Sequence, residues 1–212
     1  MKKTIIWIVA IIFLLLVAGV VVFSLVMPCE LETHQYEINE NFDDITIMAD
    51  IADILFISSE GSGSVVVCEE EKNANHSVSV KDNMLRIEVD DNKKWYENIG
   101  INLRTPLITV FLGKGEYANI SLKTDTGDIL LENIIATGKL AIETDTGSVT
   151  FEACDASDVF IKTVTGNITG SFLTDKVIFA ESETGSIDIP KIITDEKCEI
   201  VAETGNIKIT IE

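Results

Sequence analysis

The residues best suited to contact a ligand lie in one segment, 90–104, which interrupts an otherwise regular alternation of apolar and polar residues. This segment places two aromatic side chains beside basic ones in an acidic chain: Lys93, Lys94, Trp95, Tyr96 and Arg104. Aromatic rings stack on sugars or peptides, and grouped positive charges hold anionic polymers. We expect either a ligand-binding loop or a cap in which Trp95 folds over one end of the domain.

A second group that could carry chemistry consists of aspartates beside glycines in a repeated motif: Asp125, Asp128 and Asp145. Carboxylates held close together either bind a cation such as Ca²⁺ or stay apart in solvent. The Gly-Gly-x-Gly-x-Asp repeat of calcium-binding β-rolls does not occur in the sequence. We expect a solvated polar edge, in which Asn, Ser and Thr side chains bond to neighbouring turns, with no metal or other cofactor.

Catalysis and nucleic-acid binding have little support in the composition. The chain has two histidines, His34 and His76, and no nucleophile elbow, phosphate-binding loop or zinc-binding His-x-x-x-His spacing. Its 16 Lys and Arg against 35 Asp and Glu give a net charge of −19, which opposes phosphate binding. We therefore expect no enzyme activity and no nucleic-acid partner, with a polysaccharide-active enzyme as the third alternative.

A repeat sets the elements that position these residues. A Thr-x-Thr-Gly core or a close variant recurs with glycine spacings of 20, 19, 19 and 20 residues. Apolar residues alternate on both sides of each glycine, and Thr, Val and Ile are frequent, which predicts strands separated by turns. We expect the five glycines to be structural turn residues: Gly127, Gly147, Gly166, Gly185 and Gly205.

Two all-β arrangements fit this repeat, an antiparallel meander of hairpins and a coil in which each repeat forms one turn. The coil is favoured because each position would stack on its own copy about 4.8 Å away, so that its chemistry should recur. We predict a parallel β-solenoid with 19–20-residue turns over residues 43–212, in which the upstream strands form less regular turns of the same coil.

The Thr-x-Thr-Gly-Asp/Ser/Asn-Ile/Val series resembles the bacterial putative-adhesin family of β-strand-repeat domains of unknown function. The upstream pairs Asp53-Ile54 and Asp82-Asn83 extend the resemblance to residues 43–212. It implies a right-handed β-helix on a bacterial cell envelope and brings no catalytic residues. One departure affects a local turn, because Gly113 follows Leu112 where the family often has proline.

The N-terminal region predicts a membrane anchor. Residues 5–27 are apolar apart from Ser24, and a helix of that length extends about 34 Å, enough to cross a bilayer. A cleaved signal peptide, or a lipoprotein modified at Cys29, is the alternative. We expect a cytoplasmic tail at 1–4, a transmembrane helix at 5–27, a juxtamembrane strap at 28–42 and an extracellular domain beyond it, because Lys2 and Lys3 precede the span.

Two cysteines, Cys154 and Cys198, occupy positions that hold apolar residues in other repeats. Stacking in chain order would place them three turns, about 14 Å, apart, beyond the reach of a disulfide. We predict that both are free and buried.

Three functions follow from these patterns. The first is a non-enzymatic surface module for binding, adhesion or envelope sensing, with a cell-wall or protein partner. The second is a scaffold that assembles through its solenoid ends, since the chain stops inside a strand pattern at residues 206–212 and an open end can pair with another copy. The polysaccharide-active enzyme is the third.

Overall fold

The computed structural model describes residues 31–71, 76–89, 105–192, 194 and 197–212. In these ranges the chain forms strands and turns and contains no helix. Consequently no helix in them could cross a membrane. The predicted anchor, residues 5–27, and the predicted binding loop, residues 90–104, lie outside the described residues.

The described chain forms sixteen strands. In chain order they are β1 (Leu31–Ile38), β2 (Asp44–Ile51), β3 (Asp53–Ser58), β4 (Ser64–Glu71), β5 (His76–Lys81), β6 (Met84–Val89), β7 (Leu107–Leu112), β8 (Asn119–Thr126), β9 (Ile129–Glu132), β10 (Ile135–Thr146), β11 (Val149–Thr165), β12 (Ile168–Phe172), β13 (Val177–Thr184), β14 (Ile187–Asp188), β15 (Lys197–Thr204) and β16 (Ile207–Ile211).

Most of these strands belong to a parallel coil of seven turns in the described chain. Each turn gives one strand to a first sheet and the next to a second sheet, and the apolar residues of both sheets form one core. In chain order the turns are β2–β3, β6–β7, β8–β9, β10 with the start of β11, the end of β11 with β12, β13–β14 and β15–β16.

The turns do not stack in chain order. The first turn lies between the second and third, because β2 pairs with both β6 and β8. The seventh lies between the fifth and sixth, because β15 pairs with both β11 and β13. The spatial order is therefore 2-1-3-4-5-7-6, so the expectation that successive repeats are neighbours is wrong at both ends.

This order also corrects the prediction that residues 206–212 form the open end. Strand β16 is paired on both sides, with β12 and with β14. The open end is instead made by the sixth turn, where β13 pairs only with β15 and β14 only with β16.

The upstream region departs from a simple coil. Strand β4 pairs antiparallel with β7 and with β1, and β5 pairs antiparallel with β6. Residues 31–38, expected in the juxtamembrane strap, thus form a strand of the second sheet. The parallel turns themselves are as predicted, because equivalent apolar residues align from turn to turn, as Ile120, Leu140, Val159 and Cys198 do.

Candidate functional site

The turn glycines lie where two turns approach each other most closely. At Gly147 a Cβ atom would stand 1.9 Å from the Gly127 carbonyl oxygen, and its φ of +157° is rare for other residues. The same approach occurs at the other glycines of the repeat: Gly127, Gly166, Gly185 and Gly205. Glycine at this corner therefore allows neighbouring turns to sit one strand spacing apart.

In four of the five repeats a Thr or Ser hydroxyl three residues before the glycine connects adjacent turns. The hydroxyls of Thr144 and Thr163 donate to the carbonyls of Gly127 and Gly147, at 3.1 and 2.9 Å. Both side chains are buried, so these bonds satisfy groups that solvent does not reach. The equivalent position in the seventh turn is Ala202, which has no hydroxyl to donate.

Of the three predicted corner aspartates, Asp128 takes part in a related ladder of hydrogen bonds between turns. Asp128 Oδ1 accepts the Ser148 amide hydrogen at 2.7 Å, and the Asp128 amide itself donates to Asp53 Oδ1 at 2.8 Å. Asp125 and Asp145 are exposed beside this ladder. In the described residues, no group of three or more His, Cys, Asp or Glu side chains has the arrangement of a metal site. The corner geometry is that of a polar edge bonded between turns.

The free, buried state predicted for two cysteines is confirmed: Cys154 and Cys198 are both unpaired and inside the core. Burial raises the pKa of the Cys154 thiol to about 11 and that of Cys198 to about 12. Cys68 is also free and buried, with its pKa raised to about 12 by burial and by the nearby Glu70 carboxylate. These thiols pack as small apolar groups.

The histidines lie near the end of the coil that carries β1 and β5. The His76 backbone amide and its Nδ1 both lie 2.7 Å from Glu70 Oε2, and both side chains are buried. The polar sequence around His76 suggests a loop, but His76 begins β5 and through Glu70 links that strand to the end of β4. His34 lies on β1, directly across from Cys68.

A concave site that sequence reasoning missed lies where three loops meet. The loops after β1, before β4 and after β7 enclose a cleft of about 450 Å³. Its polar lining comprises Asn39, Glu40, Asn41, Asp43, Ser62, Ser64, Lys114 and Glu116. We call this space the corner cleft.

Backbone contacts hold the walls of the corner cleft in place. The Gly113 amide donates to Ser64 Oγ at 3.0 Å, and the Lys114 amide donates to the Gly61 carbonyl at 2.8 Å. A Cβ at Gly113 would lie 2.9 Å from the backbone of Gly63, so glycine permits this close approach of two loops. The cleft is therefore part of the folded scaffold.

Two aromatic rings support the corner cleft from beneath. Phe42 and Tyr117 are both buried, and their ring centroids are 5.7 Å apart at an angle of 31°. Tyr117 donates its hydroxyl to the Gly113 carbonyl at 2.7 Å. Burial raises the pKa of Tyr117, so the phenol stays protonated and keeps this bond.

The groups that line the corner cleft are mainly hydrogen-bond donors and acceptors. Its amides and hydroxyls both donate and accept, and the carboxylates of Glu40 and Glu116 accept. Lys114 brings a positive charge and pairs with Glu60 at 2.6 Å. Three acidic side chains and one basic one leave the lining net negative, which suits a neutral, hydroxyl-rich or cationic ligand better than an anion.

The chain is similar to bacterial proteins of solved structure. A putative cell adhesion protein from Clostridium sporogenes has a TM-score of 0.64 and 15% identity, covering 86% of this chain and 100% of its own. A putative adhesin from Bacteroides fragilis has a TM-score of 0.48 and 18% identity, covering 85% and 97%. At such identity the first similarity shows a shared fold. Curated proteins give no match.

The sequence itself assigns the family. The sequence model described as Toastrack DUF4097 matches residues 42–212, which is nearly all of the chain that the structure describes. This agrees with the start of the repeat domain predicted at residue 43 and with the resemblance carried by the Thr-x-Thr-Gly series. The chain belongs to the Toastrack DUF4097 family.

Proposed function

We propose that this protein is a non-enzymatic binding module, anchored in the membrane by residues 5–27, that presents its β-solenoid outside the cell to a carbohydrate of the envelope or of a neighbouring cell. The observation that carries the proposal is the corner cleft. Amides, hydroxyls and carboxylates line this space of about 450 Å³.

A carbohydrate fits this lining for chemical reasons. Sugar hydroxyls both donate and accept, and so do the Asn39, Asn41 and Ser62 side chains at the cleft. The volume of about 450 Å³ lies in the range of small-molecule sites, which suits one or two sugar rings. The net negative lining favours neutral or amino sugars over sulfated or phosphorylated ones.

Features outside the cleft also support a role at the cell surface. The chain carries a net charge of −19, which keeps a surface domain soluble and repels other anionic surfaces. The shared fold with the putative cell adhesion protein from Clostridium sporogenes agrees with adhesion as the class of function. The predicted loop at residues 93–104 would supply a second, basic contact from the segment that joins β6 to β7.

The test uses a substitution that fills the corner cleft. A Cβ at Gly63 meets nothing within 4 Å, so Gly63→Phe places a ring in the cleft without a backbone clash. Gly61→Phe is the matched control, because Gly61 does not line the cleft and contacts Lys114 only through its backbone carbonyl, which the substitution keeps. The full-length chain in detergent is screened against immobilised neutral and amino-sugar oligosaccharides.

We expect the native chain and Gly61→Phe to retain the same glycans and Gly63→Phe to lose them at unchanged thermal stability. Equal retention by both variants would refute the cleft as the site. Cleavage of the domain by protease added to intact cells tests the extracellular location. Protection of the domain in intact cells would refute that part of the proposal.

A further inference from the structure

We infer that two copies of this chain associate through the open end of the solenoid, by antiparallel pairing of β13 with β13 of the second copy. The inference does not depend on the corner cleft, which lies near the opposite end of the coil, beside β1, β4 and β7. It assigns self-association to the sixth turn, and not to residues 206–212 as the sequence predicted.

The first observation is that β13 is an edge strand with apolar side chains exposed. One side of β13 pairs with β15, and no described strand pairs with the other. On its outward face Phe179 is 57% exposed, and in the same turn Ile187 is 43% exposed. One turn inward, the position equivalent to Ile187 is the buried Ile207, and the outward position equivalent to Phe179 is the charged Glu199.

The second observation is that the edges at the other end lack this character. Strand β5 directs Ser77, Ser79 and Lys81 outward, and the exposed residues of β1 are Thr33, Gln35 and Glu37. Polar and charged side chains are the usual protection of a sheet edge against pairing. Among these edges, β13 alone presents a large exposed aromatic side chain.

The register follows from the two faces of β13. Ile178, Ala180 and Ser182 align with core residues of β15, whereas the odd-numbered residues point outward. A two-fold pairing that keeps core facing core must therefore centre on a residue, and the central choices are Phe179, Ala180 and Glu181.

Side-chain chemistry selects among these three centres. A centre at Glu181 sets two carboxylates directly opposite each other, which is unfavourable. A centre at Ala180 places Ile178 opposite the polar Ser182. A centre at Phe179 places the two aromatic rings opposite each other and pairs Ile178 with Ala180 twice in the core.

The pairing centred on Phe179 also accommodates the acidic charge of the chain. Glu181 then lies opposite Val177 of the second copy rather than opposite another carboxylate. On the adjacent strand β15, Lys197 lies beside Val177. Its ammonium group is therefore on the same outward face, one strand further from Glu181 of the second copy than Val177 is. Because the same edge is used by both copies, the contact closes into a dimer and does not propagate into a filament.

The experiment uses the full-length chain in detergent, with Cys29 replaced by Ser. Single cysteines are introduced as Phe179→Cys, Ala180→Cys and Glu181→Cys, and Ser77→Cys on β5 is the control. Residues opposite each other in an antiparallel pair have Cα atoms about 5.5 Å apart, within disulfide reach. Mild oxidation should link Phe179→Cys into a dimer most rapidly and leave Ser77→Cys monomeric.

A second measurement keeps the inference open to refutation without any disulfide. Light scattering of the detergent-solubilised chain, corrected for bound detergent, should give a dimer. Phe179→Glu should weaken that dimer at least tenfold while the thermal midpoint of dilute protein is unchanged. A native chain that stays monomeric, or a dimer that survives Phe179→Glu or links best at Ser77→Cys, would overturn the inference.

Discussion

The stacking order of the last three turns gives a sharp prediction. Lys162, Val201 and Glu181 occupy equivalent outward positions in the fifth, seventh and sixth turns. In the order 5-7-6, Lys162 and Val201 are one strand apart, about 4.8 Å, whereas Lys162 and Glu181 are two strands apart, about 9.6 Å. Chain order would exchange these two distances.

The assay is oxidation of paired cysteines, since a disulfide needs Cα atoms roughly 4.4–6.8 Å apart. Lys162→Cys with Val201→Cys should form an intramolecular disulfide, and Lys162→Cys with Glu181→Cys should not. Glu181→Cys with Val201→Cys is the positive control, because these positions are neighbours in either order. A mobility shift on non-reducing gels and loss of free thiol report the bond.

The bond between positions 162 and 201 would close a loop of about 40 residues. The chain-entropy model gives a stabilisation of about 4 kcal/mol for such a loop, as an upper value. For a domain of this size that raises the thermal midpoint by roughly 8–16 °C. A disulfide between positions 162 and 181, with none between 162 and 201, would refute the stacking order described here.

Three further results are expected. Gly147→Ala should destabilise the fold by at least about 2 kcal/mol in urea unfolding, because its Cβ would stand 1.9 Å from the Gly127 carbonyl oxygen; an unchanged midpoint would contradict the close approach. Ala202→Thr should be more stable than its isostere Ala202→Val by about 1 kcal/mol, since only the hydroxyl can donate to the neighbouring turn; equal stabilities would contradict this. The raised thiol pKa values of Cys154 and Cys198 leave at most about one thiolate in a thousand at pH 8, so an added disulfide reagent should label them only after unfolding; rapid labelling of folded protein would contradict their burial.

The coil could be predicted from the sequence because its chemistry recurs at fixed positions. Leu140, Val159 and Cys198 are equivalent in sequence and aligned in space. The order of the turns could not be predicted this way. Because equivalent positions hold similar residues in every repeat, each turn could stack on any other turn. Either Gly185 or Gly205 could stack beside Gly166 with similar core contacts.

Side chains at the corner give a physical reason for the observed order. Asn167 Oδ1 accepts the Asn206 amide hydrogen, and Asn206 Oδ1 accepts that of Ser186, both at 2.8 Å. The shorter Ser148 side chain reaches the Asn167 amide only at 3.4 Å. The observed order places Asn206 in an internal turn, where its longer side chain accepts an amide hydrogen from the next turn. Ser186, whose side chain is shorter, lies in the end turn, which has no further turn to bond.

The corner cleft was beyond sequence reasoning for a different reason. Its walls come from loops near residues 40, 63 and 115, and nothing local in those loops marks them as neighbours. The contact depends on Gly113 lying against Gly63, 50 positions away, which requires the parallel and antiparallel strands of this region to be in place first. In the sequence the glycines at 61, 63, 113 and 115 indicate turns, but they do not indicate which turns meet.

The interleaved order of the turns has a consequence for how the chain folds. A solenoid stacked in chain order can grow turn by turn as the polypeptide emerges from the ribosome or from an export channel. Here the sixth turn has no strands to pair with until the seventh turn has been made, because β13 and β14 pair with β15 and β16. Folding at this end must wait for the last fifteen or so residues. A chain truncated before residue 197 would lose an internal turn of the solenoid, and the sixth turn would then lack the strands with which it pairs.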